Sequence, residues 1–433
     1  MIIRASMRNF LSFDEENELS MVASKVSSHP EQLFQDIEKP VKKVLKLSLI
    51  FGPNASGKSN VVKAIDFIRR SVTGRISAML PTTTHFKLQD PVLESESRLE
   101  IDFKCDNNLY RYGFLYDSGK YPEEWLYQIT PTRLKPLFLR KAKDTKRVID
   151  WGESEFNSKK DKEFYEFVNR GTPDNRLLLK ELRQKQLPLY KSVYKWFDKL
   201  VIIYPNTRRG DYLHMYTNMD LQKLYRETLI SCDTGISDIR FIDVDQKDVE
   251  RNIPEQVFRD IILNTKPLAD SLTLIHTPRS RYIMGFKNKM PFFKMMTFIH
   301  DIPNSNKQVE FDFPDESDGT IRLLDLIPLL GDVKNNRIVV IDELDRSLHP
   351  KLTKHIIETC VSNSEKNESQ LIATSHDINL LDPSLLRRDA IWFVRKNQNM
   401  GSTLYSLEEF KTRNDKDLRN AYMEGLYGAI PYV

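Results

Sequence analysis

The sequence is short of cysteine, of long hydrophobic runs and of net charge. Its cysteines, Cys105, Cys232 and Cys360, lie far apart and form no Cys-x-x-Cys pair, so neither a disulfide framework nor a zinc site is indicated. A reducing, cytoplasmic setting is then the default. No stretch approaches the roughly 20 uninterrupted apolar residues of a membrane span, and residues 1–8 are too short and too charged for a signal-peptide core. We expect no membrane partner.

The net charge of +4 results from 65 basic and 61 acidic residues in a chain of 433. A balance this close argues against a protein that coats nucleic acid, although local basic patches are compatible with it. The length predicts two to three domains. A composition of 40% hydrophobic and 29% charged residues is typical of a globular protein with a buried core.

A phosphate-binding loop lies near the N-terminus, between a predicted strand and a predicted helix. The apolar run 44–51 has the length of a strand, and residues 60–71 repeat apolar positions with helical spacing. Between them, Gly52 and Gly57 allow the backbone to curl its N–H groups toward phosphates, and Lys58 reaches the β- and γ-phosphates. We therefore predict that ATP and Mg²⁺ bind here, with the Ser59 hydroxyl on the metal. The predicted nucleotide-binding residues are Gly52, Asn54, Ala55, Ser56, Gly57, Lys58, Ser59 and Asn60.

A second apolar strand, residues 337–342, ends in two carboxylates. Asp342 is predicted to support Mg²⁺, and Glu343 is placed to orient or deprotonate an attacking water. Such a pattern is common by itself and gains its meaning from the phosphate-binding loop. The sequence therefore predicts ATP hydrolysis, with Glu343 as the catalytic carboxylate.

Two further segments fit a nucleotide site, and each also has an ordinary structural explanation. His376 follows a predicted strand, 370–374, where a histidine could contact the γ-phosphate, but a single histidine at a strand end is usually structural. Ser317 and Gly319 precede an apolar helix, 321–330, whose N-terminus has anion-binding geometry. A serine at that position is also a common helix cap, so both alternatives stay open.

The order of these elements resembles the ATP-binding-cassette class, in its SMC and RecF-like branch. Residues 9–13, Asn-Phe-Leu-Ser-Phe, are similar to the Asn-Phe-x-Ser-Phe opening of that branch, and residues 342–350 resemble its Asp-Glu-x-(Asp/Glu)-x-x-Leu-His-Pro element. Residues 422–431 are similar to the Tyr-x-x-Gly-x-Tyr-Gly-Ala-x-Pro tail of RloA-like proteins. The chain thus resembles bacterial AAA-type defence ATPases of the RloA-like and AriA-like kind, with the OLD and PtuA families as relatives.

The resemblance implies roles for residues in these motifs. Ser317 and Gly319 would bind the γ-phosphate of ATP held by a second copy, so that ATP bridges a homodimer. His376 would be a switch histidine, and Asp345 would lie in a loop that communicates across the dimer. The signature departs from that of transporters because Asp318 replaces a glycine. The glutamine expected after the phosphate-binding loop has one candidate, Gln89.

The predicted fold is α/β. It is a P-loop NTPase with an ABC-ATPase head, formed by a mixed sheet and an N-terminal antiparallel lobe, and it carries an inserted mainly helical lobe. Residues 1–130 would hold the first half of the head, and residues 301–433 the second half with the signature, the acidic strand end and the switch histidine. Residues 131–300 would form the helical lobe, which would hold a partner or trigger.

Two functional hypotheses follow. The first is the ATPase subunit of an anti-phage defence system, a sensor or scaffold that controls a separate effector through ATP-dependent dimerisation. Because little chain follows His376, we expect this effector, a TOPRIM-type nuclease by resemblance, to be a second protein, and a phage protein is the expected trigger.

The alternative is an SMC- or RecF-like ATPase that acts on DNA in repair or maintenance. Binding to DNA would need a basic surface and would weaken steeply with salt. Its candidate residues are Lys159, Lys160, Lys162, Arg279, Arg281, Lys287 and Lys289, although a solvated charged surface is the more common explanation of such groups. A transporter subunit is disfavoured by the signature and by the Asn-Phe-Leu-Ser-Phe opening.

Overall fold

The computed structural model describes the chain except residues 36, 38, 75–82, 89–94, 144–145, 208–211, 266–271, 278–279, 288–289, 364–366, 411–417 and 431–433. The chain divides into two compact units. The first unit comprises Met1–Pro205, Asp332–Asp345 and Thr353–Val433, and the second comprises Asn206–Gly331 and Arg346–Leu352.

The described chain consists of groups of consecutive strands separated by single helices or groups of helices. The strands are β1 (Ile2–Arg8), β2 (Asn17–Ser20), β3 (Leu33–Phe34), β4 (Val44–Leu45), β5 (Leu47–Phe51), β6 (Ser97–Cys105), β7 (Asn108–Tyr116), β8 (Glu123–Ile129), β9 (Leu134–Lys143), β10 (Lys146–Asp150), β11 (Leu200–Ile203), β12 (Ile236–Val244), β13 (Thr273–His276), β14 (Arg281–Lys287), β15 (Met290–Asp301), β16 (Gln308–Phe311), β17 (Ile338–Ile341), β18 (Gln370–Thr374), β19 (Ile391–Lys396) and β20 (Ser402–Ser406). The helices are α1 (Lys58–Thr73), α2 (Lys159–Gly171), α3 (Leu178–Gln184), α4 (Lys191–Trp196), α5 (Tyr212–Thr217), α6 (Met219–Ser231), α7 (Gln246–Arg251), α8 (Glu255–Thr265), α9 (Asp318–Lys334), α10 (Pro350–Asn363) and α11 (Leu418–Met423).

A mixed sheet forms the centre of the first unit. Its strand order is β11-β17-β18-β5-β19-β20, in which β20 is antiparallel to β19 and the other neighbours are parallel. Every residue of β5, β17 and β18 is buried, as expected for a parallel sheet covered on both faces. The parallel arrangement brings the carboxyl ends of β17, β18 and β5 side by side at one edge.

An antiparallel sheet accompanies the mixed sheet in the first unit. Its order is β10-β9-β8-β7-β6-β1-β2, and it contains the predicted N-terminal antiparallel strands. Helix α1 buries its apolar side in the core that both sheets share, where the Phe67 ring lies 4.8 Å from that of Tyr116 and 5.7 Å from that of Phe10. Full burial of one phenylalanine contributes about 2–3 kcal/mol, so this packing holds the helix firmly against the sheet.

The second unit is built on its own antiparallel sheet. The strand order is β12-β15-β14-β13, and β16 pairs with β15. A small apolar cluster, which includes Val249 of α7, Phe258 of α8 and Phe293 of β15, packs against the sheet.

The structure differs from the sequence prediction in the range 131–300, for which a mainly helical lobe was expected. Strands β9–β12 lie in this range beside helices α2–α8, whereas β13–β16 lie within residues 269–313, whose apolar pattern by itself predicts strands. Strand β12 has no regular alternation of buried and exposed residues, so only its pairing with β15 defines it. The domain boundaries predicted at residues 130 and 300 stay predictions. In the part of the chain that the structure describes, no helix is long and apolar enough to cross a membrane.

Candidate functional site

The predicted phosphate-binding loop connects β5 directly to α1. Gly52 has φ of 152° and Gly57 has φ of 117°, the second in a region that favours glycine over any other residue. Nζ of Lys58 donates to the carbonyl oxygens of Gly52 at 2.7 Å and of Pro53 at 2.9 Å. The lysine thus closes the loop from inside, which is a geometry suited to curl backbone N–H groups around a phosphate.

Two serines that the sequence analysis did not select support this loop from behind. A Cβ on Gly57 would lie 2.3 Å from Oγ of Ser402 and 2.7 Å from Oγ of Ser12, so no larger residue fits. The Ser402 hydroxyl donates to the carbonyl of Ser56 and lies 2.7 Å from the hydroxyl oxygen of Ser12, which accepts from the side-chain amide of Asn60 at 2.7 Å. Ser12 belongs to the Asn-Phe-Leu-Ser-Phe opening, which was a signal for it, whereas nothing in the local sequence marked Ser402.

The acidic end of β17 lies beside β18, and one threonine holds it. Oγ1 of Thr374 donates to Oδ1 of Asp342 and accepts the backbone N–H of Glu343, both at 2.8 Å. Glu343 has φ of 52°, a left-handed conformation that costs a residue with a side chain roughly 1–2 kcal/mol. Thr374 is fully buried, so its hydroxyl has one fixed place and orients both carboxylate residues.

His376 follows β18 and contacts Asp345, two positions after Glu343. Its backbone N–H lies 3.2 Å from both carboxylate oxygens of Asp345. Burial lowers the pKa of His376, and the positive charge of Lys58 lowers it further, against the opposing effect of Asp345, Glu343 and Asp342. The imidazole is therefore kept neutral at physiological pH, a form that can accept or donate a hydrogen bond.

The charges at this edge influence one another. Burial lowers the pKa of Lys58 to about 8, against the opposing influence of Asp342, Asp345 and Glu343. A buried ammonium group among carboxylates, at the N-terminus of a helix, is suited to bind a polyanion that brings negative charge to it.

The side chains present fit a magnesium ion that arrives with a nucleotide. In the described residues, no group of three or more His, Cys, Asp or Glu side chains is arranged to hold a metal alone. Mg²⁺ commonly binds through one or two protein oxygens together with phosphate oxygens. The carboxylate of Asp342, 4% exposed at the strand end, and the hydroxyl of Ser59 would provide them.

The Ser317 element lies in the second unit. Oγ of Ser317 accepts the backbone N–H of Thr320 at 3.1 Å, so this serine caps α9, as its ordinary structural explanation required. Ser317 and Asp318 are nevertheless exposed. A Cβ on Gly319 would lie 2.7 Å from the carbonyl oxygen of Ser347, which requires glycine at this position. The role of Ser317 and Gly319 in binding a phosphate stays a prediction.

The remaining candidates divide into residues with an internal role, exposed residues and residues not described. Gln89, Arg279 and Lys289 lie outside the described residues. The guanidinium of Arg281 lies 4.7 Å from the ring centroid of Phe313, and it donates to the carbonyl of Thr277 at 2.6 Å. The exposed basic candidates are Lys159, Lys160, Lys162 and Lys287.

The sequence matches the protein family described as "AAA domain, putative AbiEii toxin, Type IV TA system" over residues 47–382, more than half of the chain. The chain belongs to this family. It is accordingly an AAA-type ATPase, from a class that binds nucleotide together with Mg²⁺. The matched range contains Lys58, Asp342, Glu343 and His376. The RloA-like and AriA-like subtype stays a prediction.

Two solved structures of SMC heads are similar to this AAA-type ATPase. One is described as the crystal structure of the SmcHead bound to the C-winged helix domain of ScpA, with 15% identity, a TM-score of 0.43, and coverage of 94% of this chain and 98% of that chain. The other is the SMC head domain from Thermotoga maritima, with 11% identity, a TM-score of 0.37 and the same coverage, 94% and 98%. No curated protein matches the chain.

Proposed function

We propose that this AAA-type ATPase hydrolyses ATP to ADP and phosphate, and that ATP joins two copies of it. The observation that carries the proposal is the convergence of Lys58, Asp342, Glu343 and His376 at the carboxyl ends of the adjacent strands β5, β17 and β18. Each of these side chains would take one role in ATP hydrolysis.

In this proposal Lys58 and the loop 52–57 bind the β- and γ-phosphates. When Mg²⁺ is bound, it neutralises charge that develops on the phosphates. Glu343 orients the attacking water and accepts its proton, and the neutral His376 donates a hydrogen bond toward the γ-phosphate. The hydroxyl of the buried Thr374 accepts the backbone N–H of Glu343 and so holds this residue in its left-handed conformation.

The joining of two copies rests on the Ser317 element. Ser317 is exposed at the N-terminus of α9, a long helix whose first N–H groups can bind an anion. We propose that it meets the γ-phosphate of ATP held by a second copy. Because the γ-phosphate then contacts both copies, ATP favours the closed dimer and hydrolysis releases it.

We further propose that the dimer acts in the cytoplasm as the sensor of an anti-phage defence system, with a phage protein as its trigger and a separate TOPRIM-type nuclease as its effector. Support for this role comes from the family, whose description names a putative AbiEii toxin and a Type IV TA system, and from the resemblance to RloA-like proteins. A phage-plating assay tests it. Lys58→Ala and Glu343→Gln should each remove the protection that the native gene cluster gives. Protection at the native level in both variants would contradict the role.

The ATPase proposal is tested with Glu343→Gln, measured by phosphate release and by sedimentation with and without ATP and Mg²⁺. We expect this variant to bind ATP, to lose turnover by roughly a thousandfold or more, and to stay dimeric as long as ATP is present. Glu358→Gln, on the exposed surface of α10, is the matched control and should behave like the native chain. Turnover near the native rate in Glu343→Gln would show that Glu343 is not the catalytic carboxylate.

A further inference from the structure

The turn that carries Ser317 is tied to the sheet of the second unit by a largely buried pair of side chains. His300 lies near the end of β15, and its Nε2 is 2.7 Å from Oε1 of Glu316, the residue just before Ser317. The Glu316 side chain is 5% exposed and that of His300 is 21% exposed. Because a buried carboxyl group needs a hydrogen-bonding partner, this bond restricts where the backbone at Glu316 can lie.

His300 is itself held by its neighbours. Its ring packs on that of Phe311 in β16, with centroids 4.3 Å apart and an angle of 36° between the planes. Its backbone is paired on both sides, opposite Ile236 of β12 and Val309 of β16. The position of the imidazole is therefore determined by the sheet and not by the turn that it contacts.

A second anchor holds the other end of the same turn. The buried ring of Phe313 lies 5.0 Å from that of Phe298 and 5.6 Å from that of Tyr212. Between Phe313 and Glu316, the carboxylate of Asp315 accepts the backbone N–H of Asp312 at 2.9 Å. Residues 312–316 are thus attached to the sheet at both ends, and the exposed Ser317 follows directly.

We propose that His300 and Glu316 are positioning residues, which hold the Ser317 hydroxyl where it meets ATP bound to a second copy of this chain. The inference rests on the ATP-bridged dimer proposed above, and it assigns to the second unit the residues that make this contact possible. The cap of α9 by Ser317 is local and survives without His300, and Phe313 still anchors the far end of the turn, but the end next to Ser317 loses its bond to the sheet. A displacement of about 1 Å is enough to weaken a positioned contact by up to roughly a hundredfold.

The test measures ATP-dependent dimerisation by analytical ultracentrifugation in the Glu343→Gln background. His300→Ala and Glu316→Ala should each weaken the dimer about tenfold or more, because each removes the bond to a buried partner. His300→Gln keeps an N–H donor within reach of Glu316 and should restore the dimer to within about threefold. The double variant should be no weaker than the more affected single variant, since both act through one bond.

Binding to the phosphate loop is the readout that separates positioning from general damage. A fluorescent ADP analogue should bind the three single variants and the double variant with equal affinity, because Lys58 and the loop 52–57 lie in the first unit. Lys294→Ala is the matched control, because Lys294 lies in the same strand β15 as His300. The change removes a surface ion pair of 2.8 Å between Lys294 and Asp243 of β12. It should leave the dimer unchanged.

Ser317→Arg is the reference that distinguishes two kinds of failure. If ATP does not dimerise the Glu343→Gln chain, or if Ser317→Arg dimerises equally well, the proposed function fails and this inference falls with it. If Ser317→Arg abolishes the dimer while His300→Ala and Glu316→Ala leave it intact, the inference alone is overturned. Additive losses in the double variant would also overturn it. Should His300→Ala not fold, Glu316→Ala and His300→Gln decide by the same criteria.

Discussion

Replacement of Thr374 by valine isolates the part of the site that orients Glu343. Valine has nearly the same shape and stays a good strand residue, but it removes the hydroxyl that donates to Asp342 and accepts from the N–H of Glu343. The change therefore tests hydrogen bonding in the site with little effect on packing. Thr374→Ser is the conservative variant, because it keeps the hydroxyl.

The structure gives the size of the expected effect. A hydrogen bond to a carboxylate contributes about 1.5–3 kcal/mol and one to a backbone N–H about 0.5–1.5 kcal/mol, so their loss at a fully buried site costs about 2–4 kcal/mol. The left-handed conformation of Glu343 costs roughly 1–2 kcal/mol. This cost is similar to the free energy that the hydrogen bond from its backbone N–H to Thr374 contributes. Without the hydroxyl of Thr374, we expect the backbone of Glu343 to relax toward the right-handed region. Its carboxylate would then move away from the attacking water.

The assay is phosphate release at saturating ATP, together with thermal unfolding. Thr374→Val should lower kcat by roughly a hundredfold and the melting temperature by roughly 5 °C, whereas nucleotide binding to the loop should change little. Thr374→Ser should retain kcat within about threefold of the native value. Thr359→Val, on the surface of α10, controls for the loss of a hydroxyl elsewhere. Native kcat and stability in Thr374→Val would refute the reasoning.

Further expectations concern the loop and the core of the first unit. Gly57→Ala should abolish nucleotide binding in a fluorescence titration because its Cβ meets Ser402 and Ser12 and its φ is 117°, while Gly171→Ala, with nothing within 4 Å, should bind normally. Because the pKa of Lys58 is lowered to about 8, the amine loses its charge above that pH, and ATP affinity of the native chain should fall up to about tenfold per pH unit from pH 8 upward. Lys58→Arg should show no such slope, and a native profile that stays flat to pH 9.5 would contradict this. Glu124→Ala should lower the melting temperature by several degrees, because the buried Glu124 accepts hydrogen bonds from Tyr112 and from the N–H groups of Leu178 and Leu179. A melting temperature equal to that of the native chain would show that these bonds contribute little.

The sequence predicted best those features whose residues are contiguous. The strand–loop–helix around residues 52–59 and the strands β17 and β18 lie where the apolar patterns placed them. Each is a short buried run with a loop of unusual composition at its end, so local pattern and tertiary structure agree. The sequence did not reveal β9, β10 and β12 within the range expected to be mainly helical, because strands with charged or half-exposed faces are defined by their partners.

The site itself divides in the same way. Lys58 was predicted from the phosphate-binding loop, and Asp342 and Glu343 from the acidic end of an apolar strand read together with that loop, because each of these patterns is contiguous in sequence. Thr374 and Ser402 had no such signal, since each acts only by contact with a residue distant in sequence. The pair of His300 and Glu316 likewise exists only because β15 passes beside the turn before α9. Local patterns in the sequence thus predicted which residues bind phosphate. Tertiary structure alone decided how those residues are held in place, because the supporting hydrogen bonds join residues whose proximity the fold creates.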